Sequence, residues 1–582
     1  MSPAGDSRRA WGTAENRLFL HNIGHIRRTG MDHFPHFQTP ADGTGVQPRP
    51  GANISRKTFW IGVFLACAGI FAASGCDDRT APAARNIVLI VIDTMRGDHL
   101  GCSGGPVATP NLDALAADGV RFTQARSTAP ITGPSHASIF TGLYPNEHGV
   151  TNNGQVLDQR FLTMAEIAKG HGYGTAAFVS LGVLRGVFGY GQGFDTYDHR
   201  FDLNWWRNAA EINAAVIPWV ENTRDAKKVP QFLWVHYSDP HSPYAAPGRP
   251  FPTIEIGSSA TGQWQTVKAD GGAHEMTVDL QGDSGALEVR IKDAPRRAKK
   301  KIVFQYLNSR PRGLEFRAGK NAVKGQRKKP NFILRPPSVL EFKGPDNVGE
   351  SATIRFILKQ RLKRRGYLEE YGAEVEFVDR EIGRLIEVLK NKGWYDDSLI
   401  VVAGDHGEGL GDHALIGHIH QLYDSLLHVP LLVVAPGQIP KGVVVKDPVS
   451  TLDILPTIAE LVGFDLLDGQ RGQSLVPLMH GRRIDTRPHF AMTARPQAKA
   501  DLDALIDGGL KLIRHQRDGR YELYDLGDDP GELTDRTEGR EEAIDRMRQL
   551  LDEIVSESTT AAVWLELDEE TRSKLEALGY TQ

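Results

Sequence analysis

Two carboxylates and an imidazole sit where an open α/β sheet places its ligands. Asp93 closes the apolar run Asn86–Ile92, and Asp405 with His406 closes the run Ser398–Gly404. The carboxyl ends of strands in such sheets form the binding crevice. Carboxylate oxygens and an imidazole nitrogen gathered there suit a hard-to-borderline divalent cation. A lone Asp-His pair fits a hydrogen-bonded surface pair as well, and it is the placement at strand ends that favours a metal. Three cysteines, Cys67, Cys76 and Cys102, are too few for a disulfide scaffold or a cysteine-based zinc module.

The elements that must position these groups are legible. Asn86–Asp93 is a continuous β-branched run, which marks a strand buried on both faces of a parallel sheet. Similar runs occur at Gly174–Ser180, Gln231–His236, Ser398–Asp405 and Pro430–Val434. Between them, Asn111–Asp118 opens after Thr109-Pro110. Glu374–Lys392 carries Val375, Val378, Ile382, Leu385, Ile386 and Leu389 at helical spacing. Strands alternating with helices predict a mostly parallel sheet flanked by helices on both faces.

Composition bounds the class. The chain has 582 residues, 40% hydrophobic and 24% charged, which predicts several globular domains and excludes a polytopic membrane protein or a disordered chain. With 68 Lys+Arg against 72 Asp+Glu, no overall affinity for polyanions follows. Residues 1–57 lack hydrophobic periodicity and read as disordered or as lying upstream of the true start, Met31 being an alternative initiator. Arg56-Lys57 then precede the apolar stretch Thr58–Ala73, the pattern of a secretory signal. It ends at Ala73-Ser74-Gly75-Cys76, which resembles a bacterial lipobox with Ala73 where leucine is usual. On that resemblance Cys76 is lipidated, residues 58–85 are signal and tether, and Asp77-Asp78 retain the protein at the inner membrane. The alternatives are an uncleaved anchor or an ordinary secretory signal, and the body is exported in either case.

Several motifs occur in order: Asp93-Thr94-Met95-Arg96-Gly97-Asp98-His99, Thr109-Pro110-Asn111-Leu112, Thr132-Gly133-Pro134-Ser135-His136-Ala137-Ser138, Thr141-Gly142-Leu143-Tyr144-Pro145 and Asp405-His406-Gly407-Glu408. His236–Tyr244 and Glu522–Glu532 extend the series. Together these motifs resemble the sulfatase family of the alkaline phosphatase superfamily, over about Arg85 to Gln582 apart from one insertion. The resemblance implies an alkaline-phosphatase-like fold and a single divalent ion, of identity open among Ca, Mn, Zn and Mg, held by Asp93, Thr132, Asp405 and His406. It also implies a nucleophile at Thr132, where family members carry a cysteine converted to formylglycine. Thr132 cannot undergo that conversion, His136 stands in place of the family's arginine, and His418 stands in place of its lysine. A threonine alkoxide on a metal resembles the superfamily's phosphodiesterases and phosphotransferases. A threonine sulfate has no hemiacetal route for expelling sulfate, so phosphoryl chemistry is favoured over sulfuryl.

The resemblance assigns charge stabilisation to histidines: His136 and His236 as catalytic residues, His241 and His418 as substrate contacts, with His413 and His420 read rather as structural. A second metal would need a histidine four residues after Asp239, where Pro243 stands. Asp98 and His99 read as capping the segment that follows them, and Arg96 as either bracing the site or lying on the surface.

Between Tyr244 and Tyr367 the βα rhythm gives way to apolar/polar alternation at His274–Leu280, Ala286–Lys292, Ile302–Leu307 and Thr353–Lys359, which predicts a β-rich insertion. From Phe251 to Arg365 there are 24 Lys+Arg against 11 Asp+Glu. Runs at residues 296–301, 327–329 and 361–365 suit an anionic membrane or glycan, or a solvated face balancing the acidic remainder; nucleic acid does not suit an exported protein. The predicted organisation is a catalytic domain at 86–250 and 366–475, a basic β-rich insertion at 251–365, and a small α+β C-terminal subdomain at 476–582. That subdomain is expected to have strands at Gly509–Ile513 and Tyr521–Tyr524 and helices at Glu541–Ser556 and Asp568–Tyr580. The expected activity is metal-dependent hydrolysis or transfer of a phosphoester, a phosphodiester or phosphomonoester, through Thr132. A sulfuric ester hydrolase and a non-catalytic binder of an anionic envelope polymer are the alternatives.

Overall fold

A computed structural model describes residues 86–557 except 202–204, 224–227, 245, 248–250, 259–260, 281–283, 294–300, 311–313, 325–330, 344–350, 361–363, 419–420, 467 and 495–500, together with 560–563 and 571. The chain divides into Met1–Asp77 and Asp78–Gln582, and every described residue lies in the second unit. The signal-like stretch, Cys76, His420, the basic runs at 296–300, 327–329 and 361–363 and the terminal helix expected at Asp568–Tyr580 fall outside the described residues, apart from Thr571.

The central sheet has eight strands: β1 Asn86–Ile92, β2 Val120–Arg126, β3 Gly174–Phe178, β4 Thr196–Asp198, β5 Gln231–Tyr237, β6 Ser398–Gly404, β7 His428–Val434 and β8 Val443–Ser450, in the order β8-β2-β7-β6-β1-β5-β3-β4. β1 lies at the centre, parallel to both β6 and β5. Ile87, Leu89 and Val91 pack against one helical layer, which includes α2 Thr132–Thr141 and α5 Ile454–Val462. Val88, Ile90 and Ile92 pack against the other, formed by α1 Pro110–Asp118, α3 Ala209–Asn222 and α4 Arg364–Lys392. Every residue of β1 is buried, as a continuous apolar run requires when both faces are covered.

The sheet is less uniform than the sequence pattern suggests. β7, expected from its apolar run, is antiparallel to both neighbours, β6 and β2. β2, β4 and β8 were not legible as strands. β2 reads Val-Arg-Phe-Thr-Gln-Ala-Arg and β8 contains Pro448. Their polar residues near the edge of the sheet hide the apolar signal.

The insertion is a β-sandwich. Ala322–Lys324, Asn331–Leu334, Ile302–Arg310, Ser351–Gln360 and Asp270–Asp279 form one five-stranded sheet. Glu315–Ala318, Ser338–Lys343, Ser284–Asp293, Thr253–Gly257 and Trp264–Lys268 form the other. Their inner faces share a core that includes Phe304, Phe316, Phe332 and Phe356.

After Leu475, four antiparallel strands, His489–Thr493, Leu502–Asp507, Leu510–His515 and Tyr521–Asp525, follow one another in order. Met547 and Leu551 of α6, Glu541–Glu557, cover Phe490, Leu505 and Leu512. The subdomain is tied to the catalytic body by charge as well. The fully buried Lys511 ammonium lies 2.9 Å from Asp424 and 2.7 Å from Glu532, and Arg126 meets the other Asp424 oxygen at 2.8 Å. Burial alone would raise the Asp424 carboxyl, but Lys511 and Arg126 hold it well below the carboxylate range.

Candidate metal and nucleophile centre

The site forms where β1 and β6 end and α2 begins. Asp93 follows β1, and Asp405 and His406 follow β6, which pairs in register beside it. Thr132 is the first residue of α2, whose ten residues are all buried. The register of the sheet thus joins side chains 312 positions apart in the sequence. Thr132 Oγ1 lies 3.2 Å from Asp93 Oδ2 and 3.5 Å from His406 Nε2. His406 Nε2 is 3.6 Å from Asp405 Oδ2 and 3.8 Å from Asp93 Oδ1.

The chemistry of this donor set fits a divalent cation. Asp93, Asp405 and His406 each present a ligand atom within 4.8 Å of the others. Asp93 Oδ1 and Asp405 Oδ2 are buried without a hydrogen-bond partner, a costly arrangement unless a cation joins them. Burial, together with the Asp93 charge, pushes Asp405 well above the usual carboxylate range. Burial would raise Asp93 as well, but His236, His241 and His406 hold it low. His406 directs Nδ1 at the Gly407 carbonyl, 2.9 Å away, which leaves the Nε2 lone pair for the centre. Burial and the neighbouring His418 push this imidazole down to about 4, so it is neutral, the form that ligates metals.

His136 and His236 stand beside the cluster. His136, one turn along α2, lies 2.8 Å through Nδ1 from the Thr132 carbonyl and 3.6 Å from Asp405 Oδ2. His236 Nδ1 meets Ser180 Oγ at 2.7 Å, and its Nε2 is 3.6 Å from Asp93 Oδ2. The two rings are 4.9 Å apart, and both Nε2 atoms are buried without a hydrogen-bond partner. His241 and His418 pack 5.1 Å apart, and the His418 ring is 4.6 Å from that of His406. All eight expected site residues in the described region, Asp93, Thr132, His136, His236, His241, Asp405, His406 and His418, are therefore neighbours of this centre.

His413, read as structural, lies away from the centre: its Nε2 meets the Gly531 carbonyl at 3.1 Å and its ring stacks on Tyr423. A correction concerns Asp98 and His99, which do not cap the segment that follows them: the Gly101 and Cys102 N–H groups there donate to Thr109 Oγ1 at 2.9 Å and Asp113 Oδ1 at 2.7 Å. Asp98 instead pairs with Arg96 at 2.7 Å and with His99 at 2.8 Å. Arg96 is a buried brace that also holds Asp412 at 2.6 Å and the Glu408 carbonyl at 3.2 Å. Asp239 accepts the Ala209 N–H at 2.7 Å and shares a hydrogen bond with Glu374; among the described residues it belongs to no group that could hold a metal.

Several contributors were missed in the sequence. Thr94 adopts a left-handed backbone, φ 56°, a strained state for a β-branched residue. Its N–H donates to Asp405 Oδ1 at 3.1 Å, and Tyr371 of α4 donates to its carbonyl at 2.9 Å. Glu408 is fully buried, raised to about 7 by burial, and 3.3 Å from His418 Nδ1. Only its place in the Asp405–Glu408 motif could have signalled it. A side chain at Gly133 would displace its neighbours, because a Cβ would stand 2.7 Å from Asn153 Oδ1 and 2.9 Å from Tyr190 Oη.

This sheet, with a carboxylate-imidazole cluster at its strand ends and a buried hydroxyl opening a helix beside it, has the groups a metal-assisted ester hydrolase needs. A family model described as Sulfatase matches residues 85–464, and one described as N-sulphoglucosamine sulphohydrolase, C-terminal, matches residues 411–558. The chain belongs to the sulfatase family, whose enzymes bind a divalent metal, and is an ester hydrolase of that family. An ulvan-active sulfatase of Formosa agariphila is 27% identical over 74% of this chain and 69% of its own length. An N-acetylglucosamine-6-O-sulfatase of Bacteroides thetaiotaomicron is 24% identical over 80% of this chain and 85% of its own length. Among solved structures, a phosphonate monoester hydrolase of Agrobacterium radiobacter superposes with a TM-score of 0.55 at 21% identity, covering 81% of this chain and 96% of that one.

Proposed function

We propose that this hydrolase cleaves a phosphoester, a diester or a monoester, through Thr132. One observation carries the reading: the buried hydroxyl at the start of α2, 3.2 Å from Asp93 and 3.5 Å from His406, belongs to a threonine, which cannot become formylglycine. The N-terminal end of α2 favours negative charge on that oxygen. A divalent ion bound by Asp93, Thr132, Asp405 and His406 would lower the hydroxyl pKa and polarise the ester. Thr132 Oγ–H gives its proton to Asp93 Oδ2, the Oγ–P bond forms and the ester P–O bond breaks. The leaving oxygen takes a proton from His241 or His418. Ser180 holds His236 so that Nε2–H is available to a non-bridging oxygen, and His136 fixes the carbonyl of the nucleophile's own residue. Water, or an acceptor hydroxyl in a transfer reaction, then attacks phosphorus and gives its proton to the histidine left unprotonated, the Oγ1–P bond breaks, and Thr132 Oγ1 takes back the proton held on Asp93 Oδ2.

A second reading, sulfuric ester hydrolysis, is favoured by the relatives named as sulfatases. Nitrophenyl phosphodiester, phosphomonoester, phosphonate monoester and sulfate, each tried with Ca²⁺, Mg²⁺, Mn²⁺ and Zn²⁺, separate the two. The expected result is turnover of a phosphorus ester and a quenched adduct on the peptide containing Thr132. Sulfate turnover alone, without an adduct, overturns the phosphoester assignment.

We also propose that the protein is exported and held at the inner membrane by a lipid on Cys76, a reading that rests on the apolar stretch and lipobox-like end. Labelled fatty acid is expected on the native protein and absent from Cys76→Ala; equal labelling of both would refute it. The positive surplus of the insertion suits contact with an anionic glycan or lipid surface.

A further inference from the structure

The insertion contains a cleft of about 480 Å³ whose lining includes Asp279, Ser284, Arg317, Glu341, Phe342 and Lys343. It opens at one end of the sandwich. Asp279 ends a strand of one sheet, Ser284–Ala286 begin a strand of the other, and Arg317, Glu341 and Lys343 come from two adjoining strands of that second sheet. The register sets the charges side by side, with Arg317 opposite Glu341 and Lys343 opposite Ser284. The floor is small by necessity: a Cβ on Gly285 would lie 2.4 Å from the Phe342 ring.

We propose that this cleft binds a segment of an anionic glycan, which makes the enzyme's substrate a polymer; the second half rests on the reading of the chain as an anionic-ester hydrolase. The lining has the chemistry such a ligand needs. Asp279 and Glu341 accept hydrogen bonds from sugar hydroxyls, and Ser258, Thr261 and Ser284 both donate and accept. The Arg317 fork matches the paired oxygens of a carboxylate or ester anion, and Lys343 supplies a second cation on the same wall. A lipid headgroup would use the cations and leave the carboxylates facing other anions. The volume lies within the range of small-ligand sites, enough for a short stretch of chain with both ends free.

Placement gives the cleft a role. Strand Asp270–Asp279 joins the segment that carries His241 to the cleft. At its start, a Cβ on Gly271 would lie 2.3 Å from the side chain of Pro243, two residues from His241. At its end, Asp279 lines the cleft. Eight residues of extended chain span about 26 Å. A small ester cannot touch both places, whereas a polymer held at the cleft keeps its next ester groups near the reacting centre, an effective-concentration advantage.

The test uses the full chain carrying Thr132→Ala, so that binding is read without turnover, in affinity electrophoresis against a sulfated or phosphorylated polysaccharide, a uronate polysaccharide and a neutral one, alongside vesicles with and without anionic lipid. The anionic polysaccharides are expected to bind. Arg317→Ala and Lys343→Ala should each weaken that binding about tenfold, whereas Lys268→Ala, an equal charge change on an exposed strand residue outside the cleft, should leave it within about twofold. In the active enzyme the same cleft variants should lose polymer turnover by a rise in KM and keep nitrophenyl ester turnover unchanged. Equal loss with Lys268→Ala, binding to vesicles only, or binding to none of the polysaccharides overturns the proposal. A wrong nucleophile would show as cleavage of the polysaccharide by the Thr132→Ala chain, and a wrong cleft would leave small-ester turnover intact.

Discussion

Thr132→Ala is expected to abolish ester turnover, by about 10⁴-fold or more, in a protein that still folds. Removing a nucleophile leaves only what positioning and electrostatics supply, and the substitution deletes one buried hydroxyl whose hydrogen bond to Asp93 is worth about 1 kcal/mol. Thr132→Ser keeps the oxygen at the start of α2 and should retain turnover within about tenfold, the loss reflecting the extra rotamer freedom of a side chain without β-branching. Circular dichroism and kcat/KM on the same preparations decide it. Turnover that survives in the alanine variant would mean that another oxygen attacks, and the assignment of Thr132 would fall. Loss in both variants, with the fold intact, would point to a role for the threonine methyl group that the geometry does not suggest.

Asp405→Asn should reverse the order of stability with and without metal. Asp93 and Asp405 are both fully buried, and Asp405 Oδ1 accepts the N–H groups of Thr94 at 3.1 Å and His406 at 2.7 Å. Asparagine keeps the oxygen that these donors need. It removes the negative charge that Asp93 opposes, so in chelator the variant should be more stable than the native protein by about 1–3 kcal/mol. With a saturating divalent ion the native protein gains binding free energy and the variant gains little, which places the native protein above it. Thermal unfolding of both chains in chelator and in each candidate ion reads the crossing. Parallel melting behaviour in both conditions would show that these carboxylates do not form the cation site.

Legibility in the sequence followed the type of signal. Asp93 and the Asp405-His406 pair could be found because each ends a long apolar run, and such runs mark central strands whose ends face one crevice. Thr132, His136, His236, His241 and His418 came from the order of motifs, and each lies beside the centre. The missing pieces carry no local mark. Thr94 looks like any threonine following a strand; its left-handed backbone is imposed by Tyr371, 277 residues away, and by Asp405. Arg96 could not be told from a surface arginine, because Asp412, which buries it, comes from the far half of the chain. His413 was read as structural, and the structure shows what holds it, a stacked Tyr423 ring.

The sequence by itself determined the buried strands, the alternation that makes an α/β sheet, the β-rich character of the insertion and the inventory of chemical groups. These follow from side-chain periodicity and from a residue's own chemistry, which are properties of short segments. Only the tertiary structure decided that β7 runs against its neighbours, that two sheets close the insertion around an apolar core, and that two carboxylates share one buried space with a helix-initiating hydroxyl. Strand direction, cleft shape and like-charge proximity depend on register and packing between segments hundreds of residues apart, where no single segment holds the information.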